Sequence, residues 1–229
     1  PPPEAETFKK HPLDKSQYHR FVLDNGLKVL LVSDSRYNKS AAALLVDIGY
    51  YGDPPDRGGL AHYLEHMLFL GTEKYPGVDD YGTYLSQNGG YDNAYTIYDH
   101  TNYHLQVNHD AFEGALDRLA QFFIAPLFTP EYTERERNAV HSEYQSLLER
   151  DGTRTSQVQA LSYKKDHPAS QFNIGSHETL GKVSRTELLD FYRAHYSANR
   201  MSLALLGKTS LDSLEQWARL YFTPIINKD

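Results

Sequence analysis

Just after its first quarter, the chain contains the stretch Leu60-Ala61-His62-Tyr63-Leu64-Glu65-His66-Met67-Leu68. Its apolar residues recur at three- and four-residue spacing, as they do along the buried face of an amphipathic helix. We therefore predict a helix from Gly58 to Leu70, and Gly71 follows it as a stop signal. Two histidines and a glutamate lie beside the apolar stripe. This helix thus combines a core-facing surface with groups that are capable of chemistry.

The spacing of His62 and His66 places two imidazoles on one side of the predicted helix. At about 100° per residue they lie about 40° apart and one turn apart along the axis, and Glu65 points to the same side. Such a pair can share one cation, and the carboxylate can take a proton from metal-bound water. The alternative is a pair of partly exposed histidines beside a glutamate. The apolar stripe argues against it, because imidazole and carboxylate groups that are buried without partners are costly.

The composition limits which partners and which metal site are possible. The 229 residues include 11 histidines and no cysteine, so a metal must be held by His, Asp or Glu, and a thiolate nucleophile is excluded. The net charge of −7 argues against nucleic-acid binding. No apolar run approaches the roughly 20 residues that span a membrane, and the N-terminus does not resemble a signal peptide. We expect a soluble protein, either cytoplasmic or exported to a compartment such as the periplasm.

A second helix, predicted from Pro130 to about Arg150, offers a third metal ligand. A catalytic zinc site usually takes three protein ligands. Five carboxylates are candidates: Glu131, Glu134, Glu136, Glu143 and Glu149. Glu136 and Glu143 are two turns apart and share one face within about 20°, and that face continues through Ala139 and Val140. We interpret Glu131 and Glu134 as solvated. Spacing alone favours the Glu136/Glu143 face and leaves the choice between the two open.

The rest of the chain predicts a mixture of strands and helices without a regular alternating period. An Asn-Gly turn indicates a hairpin over residues 19–33. Further strands are predicted at 41–48, 93–98, 103–107 and 201–206, and further helices at 78–87, 111–124, 186–195 and 211–221. The continuous apolar run at 41–48 is typical of a central strand covered on both faces. We expect an α+β fold with an extended N-terminal segment over 1–18 and a single domain over 19–229.

Several motifs together resemble the pitrilysin/insulysin family of zinc metallopeptidases. The order H-x-x-E-H inverts the commoner H-E-x-x-H motif and is typical of the inverzincins. The likeness extends over residues 59–76, 93–96, 100–103, 113–118 and 136–143, and covers nearly the whole chain. It implies a mixed, largely antiparallel sheet with helices packed on it, of the pitrilysin/mitochondrial-processing-peptidase type.

The resemblance also assigns roles to particular residues. It implies that His62, His66 and Glu143 bind one Zn²⁺ per chain, that Glu65 is the general base, and that Glu136 orients the site from behind the ligands. It further implies that a peptide substrate adds as a strand to an exposed edge strand. The residues of that edge are Asn93, Ala94, Tyr95 and Thr96. The alternative for this stretch is an ordinary strand with a small residue for packing.

Members of the family that this chain resembles are built from four related domains, and the chain corresponds to the first. The resemblance therefore implies a zinc-dependent endopeptidase domain that hydrolyses small peptides or unfolded proteins, and that depends on the C-terminal half of the same enzyme or on a partner subunit. Alone, the chain is expected to cleave weakly. A non-catalytic peptide-binding subunit or fragment that needs a partner half is the alternative. A purely structural zinc domain is a weaker alternative, because a structural site needs metal ligands but no general base such as Glu65.

Overall fold

The computed structural model describes residues 9–172 and 174–228, so the first eight residues of the predicted N-terminal segment lie outside it. The predicted hairpin is confirmed: β1 (Gln17–Val22) pairs antiparallel with β2 (Lys28–Ser33). Its turn contains Gly26 with φ +88°, a left-handed conformation that glycine adopts without strain. The Asn25 side chain donates hydrogen bonds to the carbonyls of Phe222 and Ile225, which ties the turn to the end of the chain.

Within the described part of the chain, six strands form one mixed sheet. The other four are β3 (Ser40–Val46), β4 (Tyr91–Thr96), β5 (Thr101–Val107) and β6 (Met201–Gly207). Their order is β1-β2-β6-β3-β5-β4, so β6 lies between two strands from the start of the chain. Only the β2–β6 pair is parallel among the five pairings of the described strands. The predicted α+β class with a largely antiparallel sheet is confirmed.

Eight α-helices accompany the sheet within the described residues. They are α1 (Leu60–Leu68), α2 (Asp80–Gln87), α3 (Phe112–Ile124), α4 (Pro130–Leu148), α5 (Asp151–Ala160), α6 (His177–Leu180), α7 (Arg185–His195) and α8 (Leu211–Phe222). The sequence predicted all of them except α5 and α6. These two carry too few apolar residues at helical spacing to be recognised.

The core lies between one face of the sheet and the helices. In β3, β5 and β6 every second residue is buried, as a strand's alternating side chains require when only one face is covered. The prediction that 41–48 is covered on both faces is therefore wrong. Ala41, Ala43 and Leu45 remain partly exposed on the second face. The largest side chains of the buried side include Tyr63, Tyr103 and Phe122.

Helices α1 and α4 pack against each other, and this contact positions the chemistry. Val140 of α4 is fully buried, as predicted, whereas Ala139 is exposed and does not extend the contact surface. The Tyr63 hydroxyl donates a 2.6 Å hydrogen bond to the Thr133 carbonyl and so joins the two helices. The metal-ligand candidates of the two helices therefore face each other across a packed interface.

Candidate metal centre

The two histidines of α1 stand one turn apart with their rings close together. The ring centroids of His62 and His66 are 4.8 Å apart and the rings are nearly perpendicular. His62 is 9% exposed, and the His66 side chain is 25% exposed. The helical spacing thus brings both imidazoles to one small, partly covered site.

Glu143 comes to this site from α4. Its Oε2 lies 3.5 Å from His62 Nε2 and 3.7 Å from His66 Nε2. One ligand atom from each of the three residues lies within 4.8 Å of the others. Over residues 9–172 and 174–228, no second group of three or more histidines and carboxylates converges in this way.

A backbone carbonyl fixes the tautomer of His62. The Ile174 carbonyl lies 2.7 Å from His62 Nδ1, and since a carbonyl can only accept, Nδ1 carries the proton and donates it. The lone pair of Nε2 is left to face Glu143 and can bind a cation. Burial lowers the pKa of His62, and the neighbouring His66 adds to this, so both effects favour the neutral, ligating imidazole.

The close approach that delivers this carbonyl depends on two glycines. Gly59 precedes α1 with φ +94°, and Gly175 follows Ile174 with φ +101°. A Cβ on Gly59 would lie 2.2 Å from the Gly175 Cα, so the two backbones can touch only because Gly59 has no side chain, whereas a Cβ on Gly175 would meet Leu180 Cδ1 at 2.5 Å. Sequence analysis missed the Ile174 carbonyl, because nothing marks a backbone contact between residues so far apart in the chain.

His66 has carboxylates on both sides. Its Nδ1 lies 3.4 Å from Glu136 Oε2, on the side away from Glu143. Burial alone would lower the pKa of His66, but hydrogen bonds to Glu136 and Glu143 outweigh it and raise the pKa to about 9. The same contacts lower the pKa of both glutamates. Without a cation His66 is therefore protonated at neutral pH, and a bound metal must replace that proton.

Glu65 lies beside this group and is nearly inaccessible to solvent. It is 6% exposed, and its Oε2 accepts a 2.6 Å hydrogen bond from the Thr96 hydroxyl. Burial raises the pKa of Glu65 to about 7, although the bond from Thr96 opposes the shift. A carboxylate that titrates near neutrality can both accept and return a proton.

Asp53 anchors the first turn of α1. Its carboxylate accepts hydrogen bonds from the backbone N–H groups of Gly59, at 2.7 Å, and Ala61, at 2.8 Å. These groups have no partner within the helix, so a carboxylate from the preceding loop caps it. Burial raises the pKa of Asp53 to about 7 even so. Sequence analysis did not identify Asp53, which lies in the loop before α1.

The four residues predicted to bind substrate lie on β4, and they divide between its two faces. Asn93 and Tyr95 are exposed, whereas Ala94 and Thr96 are partly buried. The hydroxyl of Thr96 is bonded to Glu65, so its side chain serves the neighbouring helix. β4 is at the edge of the sheet, and α1 runs beside it. The outer backbone groups of the strand thus lie next to the candidate metal centre.

The donor set matches what zinc takes in catalytic sites. Two imidazole nitrogens and one carboxylate oxygen converge, and the far nitrogen of each ring is held by a carbonyl or a carboxylate. Zinc in catalytic sites is commonly held by three such ligands, and its histidine ligands are oriented by hydrogen bonds of this kind.

Comparison with known proteins identifies the family. The family model described as "Insulinase (Peptidase family M16)" matches residues 28–171. The chain belongs to the insulinase family of peptidases. A second model, "Peptidase M16 inactive domain", matches residues 182–229. The predicted resemblance to pitrilysin and insulysin is confirmed.

Individual relatives of the insulinase family match almost the whole chain. Insulin-degrading enzyme of Drosophila melanogaster is 51% identical over 94% of the chain, and that of Homo sapiens is 45% identical over 96%. A crystal structure of pitrilysin superposes with a TM-score of 0.93 at 43% identity and covers 97% of the chain. The chain spans 22% of the length of the two insulin-degrading enzymes and 24% of the pitrilysin chain. No helix in the described residues has the length and apolar character needed to cross a membrane.

Proposed function

We propose that this chain is the zinc-binding catalytic part of an endopeptidase that hydrolyses small peptides or unfolded proteins. The observation that carries the proposal is the convergence of His62, His66 and Glu143 beside the buried carboxylate of Glu65. Membership of a peptidase family supports the same reaction class.

In this proposal His62 and His66 bind one zinc ion through Nε2, and Glu143 binds it through its carboxylate. Zinc held there supplies Lewis acidity, which makes water easier to deprotonate and a peptide carbonyl easier to attack. Glu136 holds His66 from its far side, and the Ile174 carbonyl does the same for His62. Both contacts keep the ligating nitrogens aimed at one point before substrate arrives.

Glu65 moves the proton. With a pKa of about 7 it is partly ionised at neutral pH, and its ionised form can accept a proton from the attacking water. The protonated carboxyl can then donate to the amine that leaves as the peptide bond breaks. Because Thr96 already donates to Oε2, the other oxygen is available for this transfer.

The edge of β4 is the proposed binding surface for substrate. A peptide added there as a further strand would have its backbone fixed by hydrogen bonds, which recognise any sequence in extended form. Asn93, Ala94, Tyr95 and Thr96 form the end of this edge that lies nearest Glu65. This mode of binding favours short or unfolded chains, because a folded protein seldom offers a free extended segment.

A larger assembly is part of the proposal. The chain spans 22% of the relatives' length, which supports the view that the C-terminal half of the same enzyme, or a partner subunit, completes the active chamber. We propose that residues 19–229 form one domain, the first of four. Two elements from the segment matched by the second family model support this: β6 pairs with β2, and α8 packs against β2. Missing groups that stabilise the transition state commonly cost orders of magnitude in rate.

The test compares peptide hydrolysis by the zinc-loaded chain with that of Glu65→Gln. The variant should keep its zinc and lose activity by about 10²–10⁴-fold, because only the proton transfer is removed. Glu134→Gln, on the exposed side of α4, is the matched control and should be unaffected. Equal hydrolysis by Glu65→Gln and the parent chain would contradict the proposal. Zinc and peptide binding without any hydrolysis, even with the C-terminal half added, would favour the peptide-binding alternative.

A further inference from the structure

A pocket of about 280 Å³ opens between α1 and β4, next to the candidate metal centre. Its lining residues are Glu65, His66, Phe69, Asp92, Asn93 and Ala94. One wall therefore carries the proposed general base and a metal ligand, and the other wall is the proposed peptide-binding strand. The pocket therefore lies directly beside the strand to which the peptide is proposed to bind.

Asp92 gives the pocket its charge. The carboxylate is partly buried, and burial raises its pKa above the usual range. No Lys or Arg of the described chain forms an ion pair with Asp92: Arg135, which shares an adjoining cavity with it, binds Glu136 at 3.0 Å instead. His104 is the one group whose charge lowers the pKa of Asp92. A partly buried carboxylate without a full counter-charge is costly, and a cation brought by a ligand would relieve that cost.

Side chains along β4 point alternately to its two faces, and this determines which peptide side chains can reach Asp92. Asp92, Ala94 and Thr96 are the partly buried residues of the strand, on the face toward α1, and they are spaced about 6.6 Å apart. A peptide added to this edge turns every second side chain to the same face. Since Glu65 lines the same pocket as Asp92, a side chain that reaches Asp92 comes from a residue near the bond to be cleaved.

We propose that Asp92 makes this pocket select a lysine or arginine side chain of the peptide, within two residues of the scissile bond. The inference rests on the proposed peptidase function and adds to it the class of substrate. Phe69 and Ala94 offer apolar surface for the methylene stem, and Asp92 meets the charged end, which is how long basic side chains are usually buried. The net charge of −7 also favours the approach of basic peptides.

The experiment uses extended peptides that differ at one position, with arginine or its uncharged near-isostere citrulline. In a series of such peptides, the varied residue occupies in turn each of the four positions on either side of one cleavable bond. Binding to the zinc-free chain is measured by fluorescence anisotropy, so that the result does not depend on catalysis, and hydrolysis by the zinc-loaded chain is measured in parallel. The proteins are the parent chain, Asp92→Asn and Asp24→Asn; the last removes an equal charge from an exposed turn far from the pocket.

At one position, the parent chain and Asp24→Asn should bind the arginine peptide about tenfold more tightly than the citrulline peptide. At the same position, the affinities of Asp92→Asn for the two peptides should agree within twofold. An arginine preference that survives in Asp92→Asn, or an equal affinity of the parent chain for both peptides at every position, would overturn the role of Asp92 while leaving the peptidase proposal intact. A third peptide carries leucine at the same position, and if the parent chain binds it more tightly than the arginine peptide, the pocket takes apolar side chains and the proposal is wrong. If neither peptide binds or is cleaved, even with the C-terminal half added, the peptidase proposal fails as well.

Discussion

The hydroxyl of Thr96 donates a 2.6 Å hydrogen bond to the carboxylate of Glu65, and so joins the edge strand β4 to the helix that carries both histidines. Thr96 Oγ1 also lies 3.2 Å from Thr101 Oγ1, which donates to the Ile48 carbonyl. The chain of contacts runs from the proposed general base into the buried part of the sheet. Glu65 is therefore held by a rigid element rather than by a loop.

Removal of this hydroxyl should slow hydrolysis without loss of metal. Thr96→Val keeps the shape of the side chain but cannot donate, so Glu65 loses its anchor, and we expect the turnover number of the zinc-loaded chain to fall by about tenfold to a hundredfold. Thr96→Ser restores the donor and should recover most of the rate. Zinc content should stay the same in all three proteins. If Thr96→Val matches the parent chain, the hydrogen bond has no role in positioning Glu65.

Gly175→Ala should weaken metal binding from a distance. The added Cβ would lie 2.5 Å from Leu180 Cδ1 and 3.0 Å from Val140 Cγ1, at a backbone φ of +101° that alanine tolerates poorly. The segment must shift, and the Ile174 carbonyl then leaves His62. We expect about 1–3 kcal/mol of destabilisation and a zinc affinity reduced by about tenfold or more. The measurements are urea unfolding and competition with a chromophoric chelator.

The matched control for that change is Gly152→Ala. Gly152 lies in α5, and a Cβ added there meets no atom within 4 Å. Alanine should leave zinc affinity unchanged and stabilise the helix by about 0.5–1 kcal/mol. An equal loss of zinc affinity in both variants would mean that Gly175 has no specific link to the metal centre.

Glu136→Gln tests whether Glu136 orients His66 rather than binding the metal itself. The neutral amide can still accept a hydrogen bond from His66 Nδ1, but without the charge that strengthens it, so zinc affinity should fall by about 10–100-fold. At saturating concentration the chain should still bind one zinc ion. Glu143→Gln removes a proposed ligand itself and should cost more. A ranking in which Glu136→Gln is the more damaging change would exchange the roles of the two glutamates.

The stability of the metal-free chain should fall as the pH rises from 7 to 9. The pKa of His66 is about 9 in the folded chain, against an ordinary value of 6.5, so between these values the folded state holds a proton that the unfolded state has released. That stabilisation is complete below pH 6.5 and disappears through pH 9. Glu65 and Asp53, each with a pKa raised to about 7, act in the same direction around neutrality.

Urea unfolding at pH 7 and pH 9 in the presence of a chelator measures this effect, and we expect a loss on the order of 2 kcal/mol. His66→Asn should have a flatter profile. Zinc affinity should move in the opposite direction and increase over the same range, because His66 must lose its proton to bind metal. A metal-free chain that is more stable at pH 9 than at pH 7 would contradict the assigned charge state of His66.

Local patterns predicted most of the secondary structure, because each element carries its own signal. The Asn25-Gly26 turn and the apolar spacing of α1 are examples. The order of the sheet has no such signal, since β6 enters between β2 and β3 from residues far along the chain. α5 was missed because its sequence is polar, and its one large apolar residue, Val158, is 69% exposed.

The candidate site was likewise predicted only in part from the sequence. Helical spacing placed His62, His66 and Glu65 together, because all three belong to one helix. Spacing could not choose between Glu136 and Glu143, which share a face of α4; the structure places Glu143 between the two histidines and Glu136 behind His66. The contacts of Ile174 and Asp53 with α1 could not be predicted, because they depend on how loops close over the helix.

The zinc content of the purified chain tests the central claim most directly. Elemental analysis after zinc loading and removal of free metal should find about one zinc per chain, which should drop to near zero in His62→Ala and Glu143→Gln and remain at one in Glu134→Gln. No zinc in the parent chain after metal is added back would contradict the claim that His62, His66 and Glu143 form a metal centre within these residues. Full zinc content in His62→Ala and Glu143→Gln would place any bound metal elsewhere.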